Sequence, residues 1–157
     1  MNPSSTSRRR MALPMALTSM LMLFGCTSFA FDEASRELDA LLDPAIEAGF
    51  LGIDVSAYRE ESPHQCSDPI FGPSRGLSPS VYYEVPLAIL GDQAAGFLSR
   101  VEEAWKDQGL EVTSEQSENF ISRRVSRGFY GAVADVSLAD QAGQIGGTGP
   151  CADHPEG

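Results

Sequence analysis

The chain is poor in positive charge, carrying 11 Lys and Arg against 22 Asp and Glu in 157 residues, for a formal net charge of −11. Such a surface repels phosphate backbones and anionic lipid headgroups alike. Nucleic acid is therefore not an expected partner, and electrostatics cannot be what holds this protein to a membrane. Histidine is scarce, with His64 and His154 the two present. Neither stands in a GxSxG context, and HExxH, GxxxxGK and CxxC are all missing. No catalytic residue, metal set or cofactor site can be assigned from such motifs. The apolar stretch from Met11 to Gly25 is about fifteen residues long, short of the roughly twenty of a comfortable membrane span. With 42% apolar residues and no internal repeat, the chain has room for one domain plus a targeting segment, not for two domains.

What is present begins at the N-terminus. Residues 1–10 are polar and end in Arg8, Arg9 and Arg10, and Met11 to Gly25 follows without a charge. That order of n-region and h-region reads as a secretory signal. Leu23-Phe24-Gly25-Cys26 comes directly after it and resembles the bacterial lipobox, in which Leu and a small residue precede a cysteine that receives a diacylglyceryl thioether. Phe24 departs from that pattern, where a smaller residue is usual. The resemblance implies a signal peptide over 1–25, lipidation of Cys26, a tether over 26–31 and a single domain over 32–157. It places the protein on the extracytoplasmic face of the cell membrane. Cleavage near Ser28-Phe29-Ala30, giving a soluble secreted protein, is one alternative, and an uncleaved anchor is another. Cut before Cys26, the chain keeps 8 basic against 22 acidic residues, a net charge of −14.

Cys66 and Cys151 remain. In an oxidising compartment the simplest arrangement is one disulfide, Cys66–Cys151, closing a loop of about 85 residues. The chain-entropy relation gives such a loop on the order of 4.5 kcal/mol. Both histidines lie beside these cysteines, as His64-x-Cys66 and Cys151-x-x-His154, so a tetrahedral Cys2His2 zinc site is a second arrangement and free thiols a third. Neither Cys–His pair has the usual CxxC or HxxxH spacing.

Periodicity predicts a helix over 32–49, with Ala34, Leu38, Leu41, Leu42, Ala45 and Ile46 on one stripe, Asp43-Pro44 restarting it and Gly49 stopping it. Leu51 to Tyr58 reads as a short strand. Residues 59–80, rich in Ser, Pro and Gly, read as a long irregular stretch and as the first segment to suspect of a binding surface. Val81 to Leu90 alternates, with Val81, Tyr83, Val85, Leu87 and Ile89 inward and Tyr82, Glu84, Pro86 and Ala88 outward. Asp92 is expected to cap a helix reaching Gln108, with Phe97, Leu98, Val101 and Trp105 on its core face and Gly109 as a left-handed stop. Strands follow at Leu110–Ser114, Asn119–Ser126 and Phe129–Leu138, with Arg127-Gly128 as a tight turn, and Gly143 to Gly149 gives a short closing strand. The sum is an α+β fold of two layers, an antiparallel sheet of about four strands with two helices on one face.

With Cys26, Cys66, Tyr82-Tyr83, Trp105 to Gly109 and Gly147-Thr148-Gly149-Pro150-Cys151 in this order, the chain resembles small actinobacterial lipoproteins of the kind called LppA-like. The resemblance spans nearly the whole mature chain and implies an architecture and an address, and it carries over no catalytic residue.

Single features point weakly to chemistry. Glu60-Glu61 and Glu102-Glu103 are paired carboxylates, but sequence neighbours on a helix do not face one another, so Glu102-Glu103 reads as a solvated face. Gly146-Gly147-Thr148-Gly149 has no helix after it to complete a phosphate cradle. Arg123, Arg124 and Arg127 form a small basic spot expected to be exposed charge. The expected function is a non-enzymatic binding or interaction module of the envelope, tied to the membrane through the lipid on Cys26 and taking an envelope protein or small ligand as partner. The alternative is a small envelope hydrolase using carboxylates.

Overall fold

A computed structural model describes residues 29–68 and 72–153. The signal segment, Cys26 and His154 lie outside the described residues. The fold is α+β, with a largely antiparallel sheet backed by two main helices.

The first helix, α1 (Phe31–Phe50), buries Ala34, Leu38, Leu41, Leu42, Ala45 and Phe50. Each large side chain among them contributes about 1.5–3 kcal/mol by leaving water. That stripe runs on both sides of Pro44 and holds the helix continuous through it, so the expected restart at Asp43-Pro44 does not occur. Gly49 does not stop the helix either. A β-carbon there would lie 2.9 Å from both Ile145 and Phe97 side chains, so glycine is required by close packing. The left-handed exit falls on Leu51, at φ 34°, whose N–H donates to the Glu47 carbonyl. Leu51 to Tyr58 is a turn followed by a 3-10 helix (Ser56–Tyr58), not a strand.

Six strands form the main sheet, and four more a smaller one, against the roughly four expected. The excess comes from the stretch 59–80, which contains β2 (Arg59–Glu61), β3 (His64–Asp68) and β4 (Gly72–Ser78) rather than one irregular loop. β2 is exposed along its whole length, so it carries no apolar alternation to announce it. β5 (Ser80–Pro86) follows, and its expected continuation to Leu90 is replaced by a helical turn, α2 (Leu87–Leu90). Leu87 N–H donates to the Gln141 carbonyl and turns the chain off the sheet. Ile89, expected inward, is exposed as a result.

The second main helix, α3 (Phe97–Asp107), buries Phe97, Val101 and Trp105 and starts four residues later than an Asp92 cap would start it. A 3-10 helix over Gly91–Gly96 intervenes, and no side chain caps α3. Gly109 has φ 76°, as a left-handed stop requires. The chain then meanders through β6 (Thr113–Gln116), β7 (Phe120–Arg127), β8 (Tyr130–Ser137) and β9 (Ala142–Thr148), before β10 (Ala152–Asp153). Gly128, at φ 62°, makes the β7–β8 turn.

The main sheet runs β2-β5-β9-β8-β7-β6, all neighbours antiparallel. The glycine-rich β9 is therefore central instead of closing. Its register places Gly143, Ile145 and Gly147 beside Val85, Tyr83 and Val81 of β5, and beside Val136, Ala134 and Ala132 of β8. A β-carbon at Gly147 would sit 2.9 Å from Leu38, and one at Gly143 would sit 2.8 Å from Leu90. Small residues in the middle of the sheet let the helical layer settle onto this face. Arg100 locks the two main helices together, donating to the Ala48 and Gly49 carbonyls of α1 at 2.8 and 2.9 Å and to Gln93 O at 3.0 Å.

The smaller sheet runs β1-β10-β4-β3, where β1 (Phe29–Ala30) pairs with β10 in parallel. Ser78 Oγ donates to the Gly149 carbonyl at 2.6 Å where the two sheets adjoin.

Candidate functional site

Alternation sends every second residue of the main sheet to the face away from the helices. On that face the register sets Glu60 beside Tyr82 and Gly146, and Glu84 beside Gln144 and Asp135. The face opens into a groove of about 730 Å³ along β2, β5 and β9, lined by Tyr58, Glu60, His64, Tyr82, Glu84 and Gln144 among others. That volume falls in the range of small-ligand sites. A second cavity, between α1 and β2 beside Asp39, Arg59 and Glu61, holds about 110 Å³. It has room for roughly three or four waters.

Local structure fixes the groove's side chains. The ring of Tyr82 lies over Gly146, where a β-carbon would collide with it, so the glycine provides a seat for the ring. Tyr82 remains 36% exposed. Gln144 Nε2 donates to Glu84 Oε2 at 2.7 Å and orients that carboxylate. Farther along the face, Asp135 has its carboxyl pushed above the usual range, first by burial, then by the Asp140 and Glu84 charges, with Arg124 opposing.

Arg59 belongs to the groove by position but not by charge. Its register partner is the inward Tyr83, and its guanidinium sits on the helix side of the sheet, 3.3 Å from Asp39 and 2.7 Å from Glu61. Burial raises the Asp39 carboxyl and Arg59 only partly offsets it. Tyr83 is likewise raised, by burial first. Glu60 and Glu61 therefore point to opposite faces and do not form a facing pair.

The other residues singled out in the sequence are distributed differently. Cys66 and Cys151 form a disulfide with Cα atoms 5.9 Å apart, which removes both thiolates from a zinc arrangement. Among the described residues no group of three His, Cys, Asp or Glu is placed to hold a metal ion. Glu102 accepts from Lys106 Nζ and Arg123 Nε at 2.6 Å each, and these bonds hold its carboxyl below the usual range. The basic spot does not exist as a patch. Arg123 turns to the helix side, Arg124 pairs with Glu115 at 3.2 Å on the open face, and Arg127 donates to the Glu37 carbonyl. Gly146 to Gly149 serves packing, since Gly146 lies under Tyr82, Gly147 against Leu38 and Gly149 against Pro79. Trp105 is fully buried core.

Sequence reasoning missed Gln144 and Tyr58 as groove residues. The outward assignment of Tyr82 and Glu84 was the available signal, and it needed the position of β9 beside β5 to become a site. Among the described residues no helix is long and apolar enough to cross a membrane. No protein-family profile, no curated protein and no solved structure matches this chain.

Proposed function

We propose that this protein is a lipid-anchored, extracytoplasmic binding module of the cell envelope, held at the membrane through Cys26 and taking a ligand in the groove on its open sheet face. The observation that carries the binding role is the groove itself: about 730 Å³, with Tyr82, Glu60 and Glu84 on an antiparallel sheet and Tyr58 at its rim in the preceding 3-10 helix. Sites built on sheets are held more rigidly than sites built on loops. A disulfide between Cys66 and Cys151 is in keeping with an oxidising compartment. The lipobox-like Leu23-Phe24-Gly25-Cys26 supports the anchor. In the smaller cavity Asp39 and Glu61 share the single Arg59 guanidinium, and this ion-paired triad favours a structural role over acid–base chemistry there.

The test is the intact mass of the protein recovered from host membranes, with and without reduction and alkylation. A chain beginning at Cys26 and carrying a diacylglyceryl thioether, with two thiols appearing only after reduction, is the expected result. An unlipidated chain beginning near Ala30 would refute the anchor and leave a soluble secreted binder.

A further inference from the structure

We infer that the groove on the open face binds an organic cation, with an ammonium or guanidinium head seated against tyrosine rings and drawn by glutamate. This rests on the binding-module reading above and names the ligand class for the same groove.

Charge is the first ground. Of the groove's lining residues, alternation turns Glu60 and Glu84 outward into it. Arg59, which could have neutralised them, spends its charge on the other side of the sheet against Asp39 and Glu61. Next to the groove the negative field continues through Asp135 and Asp140, while Arg124 is matched by Glu115. The face has been left with unbalanced carboxylates, and a bound cation relieves their mutual repulsion.

The aromatic surface is the second ground, independent of the first. Tyr82 is set in place over Gly146 with part of its surface open, and Tyr58 lines the same groove. Tyrosine faces attract diffuse cations through the ring quadrupole, most effectively where the cation also loses water. Spacing is the third. The groove is wide, and among the described residues no three potential ligands close on one point as a compact metal ion requires. Carboxylates spread along a sheet with the Tyr82 ring between them suit a broad organic head.

The experiment is a titration of the full mature protein, in detergent micelles, followed by amide chemical shifts. The probes are tetramethylammonium chloride, agmatine, glucose and citrate. Both cations are expected to bind, with shifts centred on Tyr82, Glu84 and Gln144 and with affinity falling as sodium chloride is raised. Glu84→Gln is expected to weaken both cations by roughly three- to tenfold, and Tyr82→Leu to weaken tetramethylammonium by a similar factor. Because Tyr82 also covers Gly146, the surface change Glu84→Gln carries the test if Tyr82→Leu fails to fold. Cations that produce no shifts at the groove, or that bind Glu84→Gln unchanged, would overturn the inference. Glucose or citrate shifting the groove residues in place of the cations would overturn it too, while leaving the binding-module reading standing.

Discussion

Replacing both Cys66 and Cys151 with alanine is expected to lower the unfolding free energy by about 4.5 kcal/mol, the chain-entropy value for a crosslink of this span. The structure gives the separation as 85 residues. The native state itself changes little on removal, because the apolar core lies between the helices and the six-stranded sheet, and the smaller sheet adds mainly Cys66 and Ala152 to the buried apolar set. The loss is therefore expected to come from the freed unfolded chain. The assay is equilibrium unfolding in guanidinium, comparing the oxidised protein with the double variant, supported by hydrogen exchange. For a domain of this size the same loss lowers the melting temperature by roughly 10–20 °C. Exchange should accelerate first in β3, β4 and β10, with β5, β8 and β9 protected longest. A fall below about 1 kcal/mol would refute the entropic argument. An equal loss of protection in both sheets would refute the claim that the core is independent of the crosslink.

Arg100→Met removes three hydrogen bonds that join α3 and the 3-10 turn to the end of α1, and a loss of roughly 2–4 kcal/mol is expected in thermal or chemical unfolding. Gly147→Ala forces a β-carbon to 2.7 Å from the Gly131 carbonyl and 2.9 Å from Leu38, so a cost of about 1–3 kcal/mol is expected, with a melting curve as the check. Asp135→Asn tests the charge of the open face. The folded-state carboxyl is raised by burial and by Asp140 and Glu84, so its destabilising effect is full above the folded pKa and vanishes below the unfolded one. The variant should then be more stable than the parent at pH 7, and the advantage should fade as pH falls through the carboxylate range. A gain that stays constant with pH would assign the effect to packing instead.

The fold class was legible because its main signals are carried by buried apolar residues. Leu38, Leu41 and Leu42 on α1, Val81, Tyr83 and Val85 on β5, and Ala132 and Ala134 on β8 lie where periodicity puts them. The strand count was not legible, for two opposite reasons. β2 is exposed at every position and leaves no pattern, while β9, expected as a strand, is built of residues so small that its sequence reads as a short closing edge and not as the middle of the sheet. The glycines of β9 are explained by what lies on them: Leu38 at Gly147, Leu90 at Gly143 and Tyr82 at Gly146. The candidate site was half visible. Tyr82 and Glu84 read as outward from alternation alone, but Gln144 joins them only through the β5–β9 pairing, a contact across about 60 residues of sequence that no local pattern encodes. Arg123 and Arg124, consecutive on β7, fall on opposite faces of the sheet by alternation alone, so they form no shared patch.

The short β1–β10 pair has a mechanical consequence. A pull applied to the chain ahead of Phe29 enters the domain at two places at once, the first turn of α1 and the strand β10. From β10 the load passes through Cys151 into β3 by a covalent bond, without relying on hydrogen bonds alone. The point where a membrane tether would attach is thus spread over the helix and a crosslinked sheet, so tension or thermal jostling at that end is shared before any one element gives way. Reducing the disulfide would leave that second route to the β10–β4 hydrogen bonds alone and shift the strain onto α1, making the N-terminal end of the domain the first to fray.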